Sequence, residues 1–249
     1  MFLRSFLLPV AVLLACIRPA ASQDWDSLSQ LQINEIIGSV TTDFYHEMGH
    51  ALIDILQIPI LGAEEDAADS LSIYLITTFW EDVDAQEIVS ASLATWDSMY
   101  GPNAGEEPDY WDVHAPDGKR IATMSCLFYG ASPETRADFA QARGIPEERA
   151  ESCPEEFQDL DASWAAYLDP LLEGGGGSSI VFEDPEAESP VTEAIRAEVD
   201  YFNGILALPN ELTVRVLSCG EANAYYHSYD RSISICTELV QQVLDRMPE

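Results

Sequence analysis

His46 and His50 stand four residues apart in the stretch DFYHEMGHALID, with Glu47 directly after the first. On a helix that spacing puts both imidazoles on one face, one turn apart. There they can reach a single Zn²⁺ at about 2.0–2.1 Å. Glu47 lies about 100° further round the helix, beside such a metal rather than on it. It can take a proton from a water whose pKa the metal lowers toward ~7. The pattern is H-E-x-x-H, in which two histidines hold zinc and the acid serves as general base. The competing reading is an ordinary amphipathic helix. It has to explain why two of only four histidines fall at this spacing around a suitably placed acid.

A catalytic zinc takes three protein ligands and keeps one position open. Cysteine is a poor candidate for the third, because the chain's later cysteines are expected in disulfides. The stretch GAEEDAAD, residues 62–69, is the better source. Glu65 falls in the first turn of a helix that can double back after Pro59, and it leads as third ligand, with Glu64 as the alternative. Asp69 is one turn further on the same face, where it can accept the other ring N–H of a ligating histidine and fix its orientation. Acids also favour helix N-termini through the helix dipole, so the three neighbouring acids do not all need a metal role. Gly49 costs the helix ~1 kcal/mol relative to alanine. Close approach of another backbone or of a substrate would explain it, and so would ordinary tight packing.

These side chains need elements to carry them. Ile33, Ile36, Ile37, Val40, Phe44, Met48, Ala51, Leu52 and Ile55 recur at helical steps, which predicts a helix over 30–58, stopped before Pro59. EEDAADSLSIYLITTFW reads as a second helix and 84–99 as a third. YGPNAGEEPDYWDVHAPDGKR is loop-like. Residues 118–129, 134–143 and 154–172 read as helices. EGGGGSSIVFEDPEAESP, residues 173–190, reads as a flexible Gly/acidic linker. Beyond it come a helix over 191–207, a strand in ELTVRVLSCG, a hairpin in NAYYHSYDRSISIC turning near Ser228–Arg231, and a closing helix in TELVQQVLDRM. Helices, linker, helix, strands and helix in that order indicate an α+β fold.

The N-terminal stretch MFLRSFLLPVAVLLACIRPAASQ has the layout of a signal peptide over 1–22. LLAC offers a rival reading, a lipid anchor at Cys16. No other segment approaches transmembrane length, so an exported protein, periplasmic or secreted, is expected. An oxidising compartment favours disulfides among Cys126, Cys153, Cys219 and Cys236. Of the three possible pairings, the one nearest in sequence is expected: Cys126–Cys153 and Cys219–Cys236. With 44 acidic residues against 11 basic and a net charge of −33, the chain lacks the clustered Lys and Arg that nucleic acid or an anionic membrane requires. The acidity reads first as a solubilising surface and second as a cleft that favours cationic substrates. The sequence leaves the oligomeric state open.

FYHEMGHALIDILQIPILGAEEDAADSLS resembles the signature of a bacterial zinc metallopeptidase family catalogued as a domain of unknown function: H-E-x-G-H, a proline-containing connector, then G-x-E-E-D-A-x-D. WDVHAPDGKRIATMSCLFYGASPE, followed by GIPEERAESCPEEF, is similar to its histidine block and cysteine pair. LPNELTVRVLSCGEANAYYHSYDRSISICTELV resembles its C-G-x-x-N-A-x-Y…I-x-x-C-x-E-L block. Here the strand block follows the metal helix, whereas many members carry it before. The resemblance implies His46, His50 and Glu65 as zinc ligands and Glu47 as general base. It also singles out His114, which with Arg120 is a candidate to stabilise an oxyanion, the plainer reading being that His114 holds its loop. His227 reads as surface.

The expected protein is thus a mainly helical, zincin-like α+β metallopeptidase acting on a peptide or protein. Residues 23–172 would form its helical metal-binding part. Residues 191–249 would complete the same domain with a helix, a small antiparallel sheet and a last helix. The alternative is a cell-envelope module that binds zinc and cuts nothing.

Overall fold

The computed structural model describes residues 23–101, 107–185 and 187–247. The expected leader over 1–22, with Cys16, lies outside the described residues. In chain order the elements are α1 (Gln30–Leu56), α2 (Glu64–Phe79), α3 (Asp82–Tyr100), α4 (Asp117–Ala131), α5 (Ala137–Arg143), α6 (Glu147–Gly174), β1 (Ile180–Phe182), α7 (Pro190–Ile205), β2 (Leu212–Leu217), β3 (Ala224–His227), β4 (Ser232–Cys236) and α8 (Glu238–Arg246). The fold is mainly helical α+β. No helix among the described residues is long and apolar enough to cross a membrane.

Helix α1 is the axis of the molecule. Its N-terminus is closed by a capping box between Ser29 and Gln32, which satisfies backbone N–H groups that have no partner within the helix. Its end is set by Gln57, which takes the left-handed conformation two residues before Pro59. The helix packs against α2, α3, α7, α8, β3 and β4, and Ile36, Val40, Phe44, Tyr45, Met48, Ala51 and Leu52 are all buried along it. The Tyr45 hydroxyl donates to Glu198 of α7 at 2.6 Å and accepts from the Trp80 indole at 2.9 Å. These bonds satisfy polar groups that would be costly to bury alone.

α2 doubles back against α1, and the two backbones meet at Gly49. A Cβ added there would lie 3.0 Å from the Ala68 Cα. Of the explanations the sequence offered for this glycine, the close approach of a neighbouring backbone is the one observed.

The sheet departs from expectation. It has four strands in the order β1-β2-β4-β3. The β1–β2 and β2–β4 pairs are parallel and only β3–β4 is antiparallel, so the sheet is mixed rather than antiparallel. The cause lies in the segment read as a flexible linker. Its Ile180–Phe182 form β1, the Asn203 side chain of α7 bonds both backbone groups of Ile180, and α7 is the crossover that a parallel β1–β2 pair requires. β3 forms the outer edge, and its hairpin with β4 turns over residues 228–231. Both faces of β4 are buried, as befits an inner strand.

The disulfides join Cys126 to Cys153 and Cys219 to Cys236, the pairing expected from the spacing. α6 begins at Glu147 and runs through Pro154 and Pro170, seven residues earlier than the start expected at 154, although proline disrupts helix interiors. The bridge from Cys153 to α4 fixes the turn that contains Pro154.

If the α1–α2 approach is as tight as Gly49 indicates, Gly49→Val will lower stability by about 1–3 kcal/mol through overpacking. Gly62→Val, where a Cβ meets nothing within 4 Å, will not. Thermal unfolding of the two variants beside the wild type checks this.

Candidate metal centre

The helical repeat of α1 lines up Asp43, His46, Glu47 and His50 along one face. The start of α2 brings Glu64, Glu65 and Asp69 against that face, the loop before α4 adds His114, α4 adds Arg120, and β3 closes one side. All of these side chains line one cavity of about 950 Å³.

His46 Nε2, His50 Nε2 and Glu65 Oε2 lie 3.2 Å from one another on all three sides. Three corners of a tetrahedron with arms of about 2.0–2.1 Å are about 3.3 Å apart, so this triangle fits a metal ion of zinc's dimensions. A second converging group, Cys219, Cys236 and Glu238, has its sulfurs committed to a disulfide.

The rings are held from behind. His50 Nδ1 is 2.8 Å from Glu64 Oε1. His46 Nδ1 is 2.9 Å from Asp69 Oδ1, a contact with the distance of a hydrogen bond but not its angle. Both Nε2 atoms therefore turn toward Glu65. Of the two candidate third ligands, Glu65 faces both imidazoles and Glu64 backs His50. Arg120 donates through Nε and Nη2 to the two oxygens of Asp69 at 2.6 and 2.7 Å, and its guanidinium lies 4.2 Å from the Trp96 ring centre. Arg120 is thus engaged in fixing Asp69 through Nε and Nη2.

Glu47 is buried, and the Tyr226 backbone at the edge of the sheet favours its charged form. Burial raises its pKa, with the imidazoles pulling the other way. Burial also opposes charge on His46, but Asp69 and Glu65 outweigh it and lift the imidazole to about 10. Hydrogen bonds from His46 and His50 hold Glu65 far below the usual carboxylate range.

His114 stands at the rim, its Nε2 3.1 Å from Glu65 Oε2 and its Nδ1 3.0 Å from Asp112. It touches the carboxylate without joining the triangle. His227 lies away from the cavity, its ring stacked on Tyr225. The sequence reading missed two features. Tyr226 donates to Asp54 of α1 at 2.7 Å, which ties the sheet edge to the helix that carries both histidines. Asp43, one turn before Glu47, lines the cavity with neither a hydrogen bond nor an ion pair among the described residues, and burial pushes its pKa up to about 7.

DUF4344, a family described as "Putative metallopeptidase", matches the chain over residues 14–168 and 187–249. No curated protein and no solved structure matches it.

Because the folded pKa of Asp43 lies above its ordinary 3.8, the group works against folding as pH rises from about 4 through 7. Asp43→Asn removes that penalty. In metal-free protein its stability advantage over wild type will grow by about 1–3 kcal/mol between pH 5 and pH 8, as read by urea unfolding at the two pH values.

Proposed function

The chain belongs to DUF4344, and from that premise we propose that it is an exported zinc-dependent peptidase with His46, His50 and Glu65 as ligands and Glu47 as general base. The observation that carries the reading is the triangle of ligand atoms, 3.2 Å on each side, with the Glu47 carboxylate on the same helix face. When bound, zinc supplies Lewis-acid polarisation of a carbonyl and brings the pKa of water toward ~7.

The remaining work falls to the chain. Glu47 accepts the proton of the attacking water and later delivers it to the leaving amine. Its burial supports this role, since a raised carboxylate pKa brings it closer to the working pH. Asp69 and Glu64 orient the two imidazoles, and such outer partners tune both geometry and ligand basicity. The contact between His114 and Glu65 supports a place for His114 beside the reacting carbonyl, where its ring can donate to an oxygen that gains negative charge. A long helix next to a small sheet with one free edge is compatible with the zincin-like reading. Two disulfides fit an oxidising, extracytoplasmic compartment.

Purified wild type is expected to hold one zinc per chain and to cleave members of a peptide library, and chelation is expected to abolish the cleavage. Glu47→Gln will keep the zinc and lose about 10²–10⁴-fold in rate, whereas His46→Ala will lose the zinc. Metal analysis together with library digestion checks all three. Stoichiometric zinc in a wild type that cleaves nothing would return the function to the alternative, a zinc-binding envelope module without catalysis.

A further inference from the structure

The cavity does not end at the metal triangle. It continues along α1 beyond Glu47, past Asp43, with Trp96, Met99, Met124 and Leu239 among its walls. Its charges are mostly spoken for. Arg120 and Asp69 neutralise each other in a two-pronged ion pair. Asp54 accepts from the Tyr226 hydroxyl, Glu64 faces His50, and Glu65 faces His46, His50 and His114. Glu47 is the base of the proposed reaction. Asp43 is left over: a carboxylate in the cavity wall with no hydrogen bond or ion pair among the described residues, the charges of His46 and Arg120 acting on it from beyond ion-pair distance.

An ionisable group held in that state opposes folding, so a ligand that supplies its partner would gain from it. The location defines the ligand further. Four residues of helix separate Asp43 from Glu47, a rise of about 6 Å, comparable to the reach of a lysine or arginine side chain. The apolar walls suit the aliphatic stem of such a side chain, and Asp43 suits its charged head. A chain of net charge −33 with a single lysine also attracts basic peptides at long range.

We propose that this part of the cavity is a specificity pocket and that Asp43 selects peptides carrying lysine or arginine next to the bond to be cleaved. The inference rests on the peptidase reading for the nature of its ligand.

The test uses zinc-loaded full-length protein and labelled peptides that differ at one position: lysine, arginine, norleucine or glutamate. Binding is measured by fluorescence anisotropy on the Glu47→Gln protein, with and without Asp43→Asn, and cleavage is measured on wild type. Lysine and arginine peptides are expected to bind about tenfold or more tightly than the norleucine peptide, the scale of one charge-assisted contact. Asp43→Asn is expected to bring that ratio close to one. Equal binding of basic and neutral peptides by the Asp43-containing protein would overturn the inference, whether or not wild type cleaves them. A basic preference that survives Asp43→Asn unchanged would overturn it as well. Selective binding of basic peptides without cleavage would uphold it and overturn the peptidase reading instead.

Discussion

The ion pair between Arg120 and Asp69 is the contact on which the rest of the site depends. It is buried, two-pronged and short, and it links α4 to α2 across 51 positions of sequence. Asp69 in turn meets His46 on α1, so three helices converge on one carboxylate. Two buried charges are tolerated here because each satisfies the other with hydrogen bonds as well as charge. Removing either would leave the other uncompensated and would free the His46 ring to rotate. The metal triangle is therefore set by groups outside it: Asp69 behind His46, Glu64 behind His50, and the Gly49 approach that brings α2 close enough for Glu65 to reach both rings.

What could be read from the sequence follows the range of the interactions. His46, Glu47 and His50 are related by the helical repeat alone, so their common face was legible. Glu65 and Asp69 needed only one further step, a helix hairpin across a short connector. The disulfides were legible because each closes a short loop. The Arg120–Asp69 pair was not, since two residues 51 apart carry no local sign of their contact. β1 was hidden for a related reason. Its three residues follow four glycines and precede an acidic, proline-containing stretch, and only pairing with β2 and anchoring by Asn203 make them a strand. Asp43 was invisible because one acid on a helix carries no signal among 44. Its significance lies in the partner it lacks, which only the packed structure reveals.

The same packing accounts for how α1 can be both core and active face. A helix surrounded by other elements would normally be apolar all round. α1 is instead apolar toward α3 and α7 and ionisable along a single stripe. The cavity is what makes the stripe tolerable, since it leaves Asp43, His46, Glu47 and His50 facing a space that water or ligand can fill. The Tyr226 hydroxyl bond to Asp54 then fixes the β3 edge of the sheet against that stripe, so the sheet bounds the cavity rather than merely covering the helix.

Along the stripe the groups divide by how their charge is balanced. His46, His50 and Glu65 are arranged around a point where a cation fits. Glu47 lies beside it, close enough to feel the imidazoles. Asp43 lies one turn beyond, outside the triangle and outside the Arg120–Asp69 pair. A cation in the triangle meets the demand of its ligands but lies a helical turn away from Asp43. His46 and Arg120 reach Asp43 with their charge without pairing it, so a direct partner for it would come from whatever occupies the rest of the cavity, which makes the filling of the pocket and the chemistry at the triangle two separable events on one helix face.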